Sequence, residues 1–246
     1  MIAAIMQPYF FPYIGYWQLI HAVDRFVLLD DVQYIRHGWI NRNRILKPGG
    51  GWQYIVVPLK KHHVTELIKN VQVDTNNEWK ELIIRQLTHY NKIASFFDET
   101  IEIVKTALFK KDHKDIASLN FAIIKTICDF LNIKTEVIIS SEHNFNYEEI
   151  HDAGDWAFRI SEQMGVTEYI NPIGGANLFR TDLFTSSSIK LSFLKSNEIT
   201  YPQGRVSEPS LSIIDVLMFN GIDGTKEFLK KYLIETNNKQ VGLGDS

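Results

Sequence analysis

The sequence predicts an α/β fold in which a largely parallel sheet carries a helical insert over about 76–132, all in a single domain spanning 1–246. Three observations predict it. The chain opens with an apolar run of strand length, Ile2 to Met6, which stops at Gln7-Pro8 and gives way from Gly15 to helical spacing through Trp17, Ile20 and Val23. Arg25-Phe-Val-Leu-Leu-Asp-Asp-Val32 then has the apolar density of a second buried strand, completing a βαβ unit and hence a parallel pair. From Thr135 the alternation resumes, with a strand to Ser140, a helix from Ala153 to Met164 stopped by Gly165, and strands at Glu168 to Pro172 and Ile189 to Leu194.

Between these halves, Tyr34 to Ile45 is dense in polar and aromatic groups with no helical stripe. Pro48-Gly-Gly-Gly51 turns the chain into a strand from Trp52 to Leu59, so the pair predicts a hairpin that displays Asn41, Arg42, Asn43 and Arg44. Lys60-Lys-His-His63 is a solvated loop. Asn76-Asn77 is placed to cap a helix from Glu78 to Asn91, with Trp79, Leu82, Ile83 and Leu87 on one face. Two further helices follow, about 96–109 and 116–131, and no Gly, Pro or Ser-rich linker separates them from the rest. Near the end a helix from Leu211 to Phe219 closes at Asn220-Gly221, a last helix covers Lys226 to Glu235, and the polar stretch 236–246 frays.

Bulk properties exclude several classes. A chain of 246 residues with 45% hydrophobic and 22% charged content is neither disordered nor fibrous. A net charge of -3 gives no general attraction to nucleic acid or to an anionic membrane. The longest apolar runs are too short to span a bilayer, and no basic region precedes Ile2, so the expected compartment is the cytoplasm. The single cysteine, Cys128, lies in a helical apolar pattern as core filling.

Four stretches carry candidate chemistry. In Gln7-Pro-Tyr-Phe-Phe-Pro-Tyr-Ile-Gly-Tyr16 two prolines fix φ, Gly15 permits close backbone approach, and the first turn of the following helix offers unpaired N–H groups to a phosphate or carboxylate. Its aromatics favour a binding loop over a plain turn, with Gln7, Pro8, Phe10, Tyr13, Gly15 and Tyr16 as substrate-binding candidates. The layout resembles the nucleotide-binding turn of HxGH-type nucleotidyltransferases, with Tyr13 and Tyr16 in the places of the two histidines, and so implies a Rossmann-like (nucleotidyltransferase-like) sheet. A phenol can donate a hydrogen bond but carries no positive charge, which weakens the case for adenylyl transfer.

Asp30 and Asp31, at the end of the second strand, are candidates for a base or for holding Mg²⁺ with a nucleotide; the alternative is an Asp that caps the next turn. His37, Trp39, Asn41, Arg42, Asn43 and Arg44 form the richest polar cluster: guanidinium suits phosphate, and an indole face suits a sugar or a base. Charges that merely protect an exposed strand edge are the alternative. Asn171, at the end of a strand, and Gly174 and Gly175 after it are candidates because backbone N–H groups there can face a ligand; a plain turn is the alternative that the paired glycines alone favour. The eight histidines show no zinc-like spacing.

Taken together, Met6 to Tyr16, Asp30-Asp-Val-Gln33, Gly38-Trp-Ile-Asn-Arg-Asn-Arg44, Tyr169-Ile-Asn-Pro-Ile-Gly-Gly175 and Pro209-Ser-Leu-Ser-Ile-Ile-Asp-Val-Leu-Met-Phe-Asn220 resemble, in order and from end to end, the WbqC-like family. That family is associated with bacterial surface polysaccharide (O-antigen) clusters, and some members are labelled glycine transferases. The resemblance implies a transferase that attaches a glycyl or other small acyl group to a nucleotide-linked amino sugar; Ser210, Ser212, Asp215 and Asn220, on periodicity alone the polar side of an amphipathic helix, become pocket candidates through it, Ser212 and Asp215 foremost. Asp30, Asp31, His37 and Asp215 are then the candidates for catalysis. Two alternatives stay open, nucleotidyl transfer onto a sugar phosphate or small acid and a non-catalytic module that binds a nucleotide sugar.

Overall fold

In the computed structural model, which describes residues 1–75, 78–203 and 207–236, six strands form one sheet and two form a separate hairpin. The sheet strands are β1 (Ile2–Met6), β2 (Arg25–Leu28), β5 (Glu136–Ile139), β6 (Glu168–Pro172), β7 (Lys190–Ser196) and β8 (Tyr232–Thr236), and the hairpin is β3 (Arg42–Leu46) with β4 (Trp52–Val56). The helices are α1 (Ile14–His21), α2 (Trp79–Leu87), α3 (Phe97–Phe109), α4 (Ile116–Leu131), α5 (Ala153–Gln163), α6 (Thr181–Ser186) and α7 (Ile213–Leu229). The cap expected at Asn76-Asn77 and the tail 237–246 lie outside the described residues.

Strand order is β5-β2-β1-β6-β7-β8, parallel except for β8. This is a doubly wound, Rossmann-like order whose direction reverses between β1 and β6. The two strands at that switch point pair only at their beginnings, Ile2 with Glu168 and Ala3 with Tyr169, whereas β1 and β2 stay paired through Met6 and Leu28. They therefore splay toward their carboxyl ends, where Gln7 and Asn171 sit.

Alternation along the strands sorts side chains to two faces. Ala4, Phe26 and Leu28 pack with Trp17 and Ile20 of α1, Ile123 and Ile127 of α4, Leu217 of α7 and Ile45 of the hairpin. Ala3, Ile5, Val27 and Leu29 pack with Phe158 and Ile160 of α5 and Phe184 of α6. Each such large side chain taken from water stabilises the fold by about 1.5–3 kcal/mol. The helices expected as an insert, α2 to α4, all lie in the connection from β2 to β5, and Trp79, Val104 and Ile124 join the first of these clusters. Cys128 is buried among them, which pushes its thiol up to about 12.

The end of the chain corrects the sequence reading. The helix that starts at Ile213 bends at Gly221 (φ 64) against the Phe96 ring and then runs on to Leu229, and Tyr232–Thr236 is a strand rather than part of a last helix. The segment Tyr-Leu-Ile-Glu-Thr suits a pleated surface, and antiparallel pairing with β7 satisfies ladder groups that the edge would otherwise leave open.

Candidate functional site

The loop after β1 and the hairpin are stitched into one body at the carboxyl edge of the sheet. Phe10 N donates to Trp39 O at 2.9 Å, and Ser212 N donates to Arg44 O at 2.8 Å. The Asn43 amide donates to both Phe10 O and Phe11 O, each at 2.9 Å, and Ser212 Oγ also donates to Phe11 O, at 2.8 Å. From α4, Asn120 Nδ2 donates to Pro8 O and Ile40 O, each at 2.8 Å. These two segments, singled out separately in the sequence, therefore meet.

Several candidates are consumed in the stitching. Phe10, Asn43 and Ser212 are buried, and Tyr16 is sealed in the core with its hydroxyl donating to Gln7 O at 2.9 Å. The ring of Tyr13 lies over Gly15, where an added Cβ would come within 2.6 Å of it. Burial therefore closes Tyr16 to a phosphate, whereas Tyr13 is only half-buried.

Three non-glycine residues here occupy the left-handed region: Phe11 (φ 41), His37 (φ 63) and Ser210 (φ 55). In each, the carbonyl is caught by a side chain of β3: Phe11 by Asn43, His37 by Arg42 Nη2 at 2.5 Å, and Ser210 by Arg44 Nη2 at 3.3 Å. Backbone of this kind costs about 1–3 kcal/mol per residue and persists where surrounding contacts enforce it.

Outside the stitching, Tyr34, Arg36, His37, Asn41, Arg42, Val56, Leu59, Lys60, Lys61 and His62 line an open hollow of about 420 Å³. Arg36, Arg42, Lys60 and Lys61 form no ion pair among the described residues, and no carboxylate lines the hollow. Arg42 is held on the Tyr54 ring (4.3 Å from its centroid) and by the Gly38 and His37 carbonyls. Tyr34 donates to Asn41 Oδ1 at 2.8 Å, and His62 Nδ1 is 2.9 Å from Lys60 O while its Nε2 is buried with no partner. Unpaired cations gathered without a counter-charge make a site that an anion would relieve.

The two aspartates follow β2, and a short segment that bends at Asp31 and Val32 leads from them to Tyr34 at the hollow. Asp30 accepts from Ser140 Oγ (2.9 Å), Ser141 N (3.0 Å) and Ser141 Oγ (2.6 Å). Asp31 accepts from Lys69 Nζ at 2.8 Å and Tyr147 OH at 2.7 Å. Burial alone would raise the Asp31 carboxyl, but the bonds from Lys69 and Tyr147 outweigh it and hold it below the usual range. The same bond raises Lys69, while burial and then Asp31 raise Tyr147. Among the described residues no group of three or more His, Cys, Asp or Glu is placed to hold a metal ion. Magnesium does not fit this pair: serine donors occupy both oxygens of Asp30, and an ammonium already neutralises Asp31.

The remaining candidates lie apart. Asp215 is fully buried in the first turn of α7, caged by Tyr90 OH (2.6 Å), Tyr201 OH (2.7 Å) and Gln203 Nε2 (2.8 Å). Burial raises its carboxyl, opposed by those three donors, and it reaches no part of the cationic hollow's lining. Asn171 is also buried, accepting from Tyr169 OH at 2.9 Å and donating to Pro172 O at 3.0 Å, with Gly175 close against its amide. Gly174 has open space around it.

Sequence reasoning missed Asn120, Lys69, Ser140, Ser141 and Tyr147, whose partners are far along the chain. It did single out Lys60 to His63, but only as a loop.

A model of the WbqC-like protein family matches residues 7–227. An uncharacterized protein of Mycobacterium tuberculosis is 29% identical over 220 residues, covering 88% of this chain and 92% of that protein. No solved structure matches.

Proposed function

The chain belongs to the WbqC-like protein family, and we propose that it is a transferase in the assembly of bacterial surface polysaccharide. It acts in the cytoplasm on a nucleotide-linked amino sugar, joining a glycyl or other small acyl group to the sugar's amine. The observation that carries this reading is the hollow of Arg36, Arg42, Lys60 and Lys61, unpaired cations in a site with room for a diphosphate. Among the described residues no helix is long and apolar enough to cross a membrane.

In this account Arg42, held over the Tyr54 ring, and the neighbouring cations neutralise the phosphates. The sugar's ammonium gives a proton to a base, the freed nitrogen pair attacks the acyl carbon of an activated donor, and as the adduct collapses the nitrogen's second proton passes to the donor's leaving group, which departs with the electrons of the broken bond. We assign the base role to His37, a reading supported by its lining the hollow with a ring that has no partner among the described residues. Asp31, already paired with Lys69, serves through that ammonium, while Asp30 and Asp215 hold structure. Gln7, Asn171, Gly174 and Gly175, at the splayed ends of β1 and β6, border the same edge.

Mass spectrometry of the protein incubated with nucleotide-linked amino sugars and activated glycyl or acyl donors tests this reading. A product heavier by the acyl group supports it, and none with any donor contradicts it. The engagement of both Asp30 and Asp31 favours a second reading, a non-catalytic module that binds the nucleotide sugar. Binding without conversion is its signature.

A further inference from the structure

We propose, building on the phosphate reading of the hollow, that Trp39, Trp52 and Tyr54 form an aromatic shelf for the nucleobase of a nucleoside diphosphate. The hairpin register places them. Arg42 and Arg44, two apart on β3, share a face, opposite Val56 and Tyr54 of β4 respectively. Arg42 stacks on Tyr54, and Tyr54 meets Trp52 edge to face with centroids 4.9 Å apart. The Arg44 guanidinium then lies 5.2 Å from the Trp52 ring and 5.4 Å from the Trp39 ring. A continuous strip of alternating guanidinium and ring therefore runs out of the hollow, which Arg42 and Val56 line, onto two tryptophans that remain 36% and 40% exposed.

Charge decides the occupant. A shelf that begins at the hollow's cations and carries one more guanidinium, that of Arg44, suits a flat π-system attached to phosphates, because arginine and indole both stack on a base. Alternate residues on a strand are about 7 Å apart, so a ligand that reaches from Arg42 past Arg44 holds its phosphates and its ring at separate points of the strip. Arg44 Nε is also buried without a partner, so this arginine is not fully satisfied by the protein itself.

Titration calorimetry with UDP, ADP, ribose 5-phosphate and inorganic pyrophosphate, on wild type and on Trp39→Ala and Trp52→Ala, tests the shelf. Each substitution is expected to weaken UDP and ADP about 10-fold and to leave pyrophosphate unchanged. In wild type, UDP should quench tryptophan fluorescence while pyrophosphate should not, a readout that needs no variant to fold. Equal losses for pyrophosphate, no loss for any probe, or a loss for ribose 5-phosphate as large as for UDP overturns the shelf. Failure of wild type to bind pyrophosphate at all overturns the phosphate reading as well; pyrophosphate binding with indifferent tryptophans overturns the shelf alone.

Discussion

Arg42 donates through Nη2 to the carbonyl oxygen of His37 at 2.5 Å, and that bond holds a non-glycine residue at φ 63. The arginine that would neutralise phosphate thus also fixes the backbone that carries the imidazole proposed as base. Glycine adopts this backbone without steric cost. His37→Gly should therefore be more stable than His37→Ala by about 1 kcal/mol in chemical denaturation, with turnover lost in both. Equal midpoints would mean that the left-handed backbone stores no strain.

Asn43 is the knot between the hairpin and the loop after β1, with its amide on two carbonyls and its Oδ1 accepting from Arg44 N at 2.8 Å. Asn43→Ala takes the side-chain donor from the buried Phe10 O and the acceptor from the part-buried Arg44 N, while Phe11 O keeps Ser212 Oγ, and should cost about 2 kcal/mol. Thermal melting measures it, and a cost under about 1 kcal/mol would show that the stitch is not a stabilising contact.

Asp215 should make stability depend on pH in an unusual direction. Its folded carboxyl is raised by burial, so the folded state binds the proton more tightly than the unfolded state. Its contribution is greatest below the ordinary carboxylate range and declines as pH rises through the raised folded value. Denaturation midpoints of wild type relative to Asp215→Asn should therefore fall as pH rises from about 4 toward neutrality. A difference that stays flat or climbs would contradict the caged carboxylate.

The Asp31–Lys69 pair has the opposite acid limb. Asp31 is lowered, so its contribution is present above the unfolded carboxylate value and lost as pH falls through the folded one. Lys69 is raised, so its contribution holds below the unfolded lysine value and is lost as pH rises through the folded one. Lys69 is 38% exposed and the pair is screened, so wild type should exceed Lys69→Met by only about 1 kcal/mol between those limits. Stability measured from acid to alkaline pH checks the shape; a difference unaffected by pH would remove the ion pair from the account.

The features legible in the sequence were those that local pattern dictates. Ile2 to Met6 is a strand because its apolar run ends in a proline, Gly165 ends α5 with φ 64, and Pro48 to Gly51 turns the hairpin. The error at Tyr232 to Thr236 arose where the partner, β7, decides the structure rather than the segment's own spacing. Site chemistry was harder for the same reason. Residue type marks Asp215 as polar on a helix, but its partner Tyr90 lies 125 positions away and turns it into a buried cage. Tyr16 shows the converse: an aromatic in a candidate binding loop is as readily core, and only the packing around it decides.

Titration of inorganic pyrophosphate at low and high salt, into wild type and an Arg36→Ala, Lys61→Ala double variant, tests the central claim most directly. Both side chains line the hollow and are exposed, so their removal should leave the melting temperature unchanged or higher by relieving like-charge repulsion. Wild-type binding should weaken with salt, and the double variant should bind about 10-fold or more weakly at low salt. Equal affinity in the two proteins, or no binding to wild type, would contradict the hollow as a phosphate site.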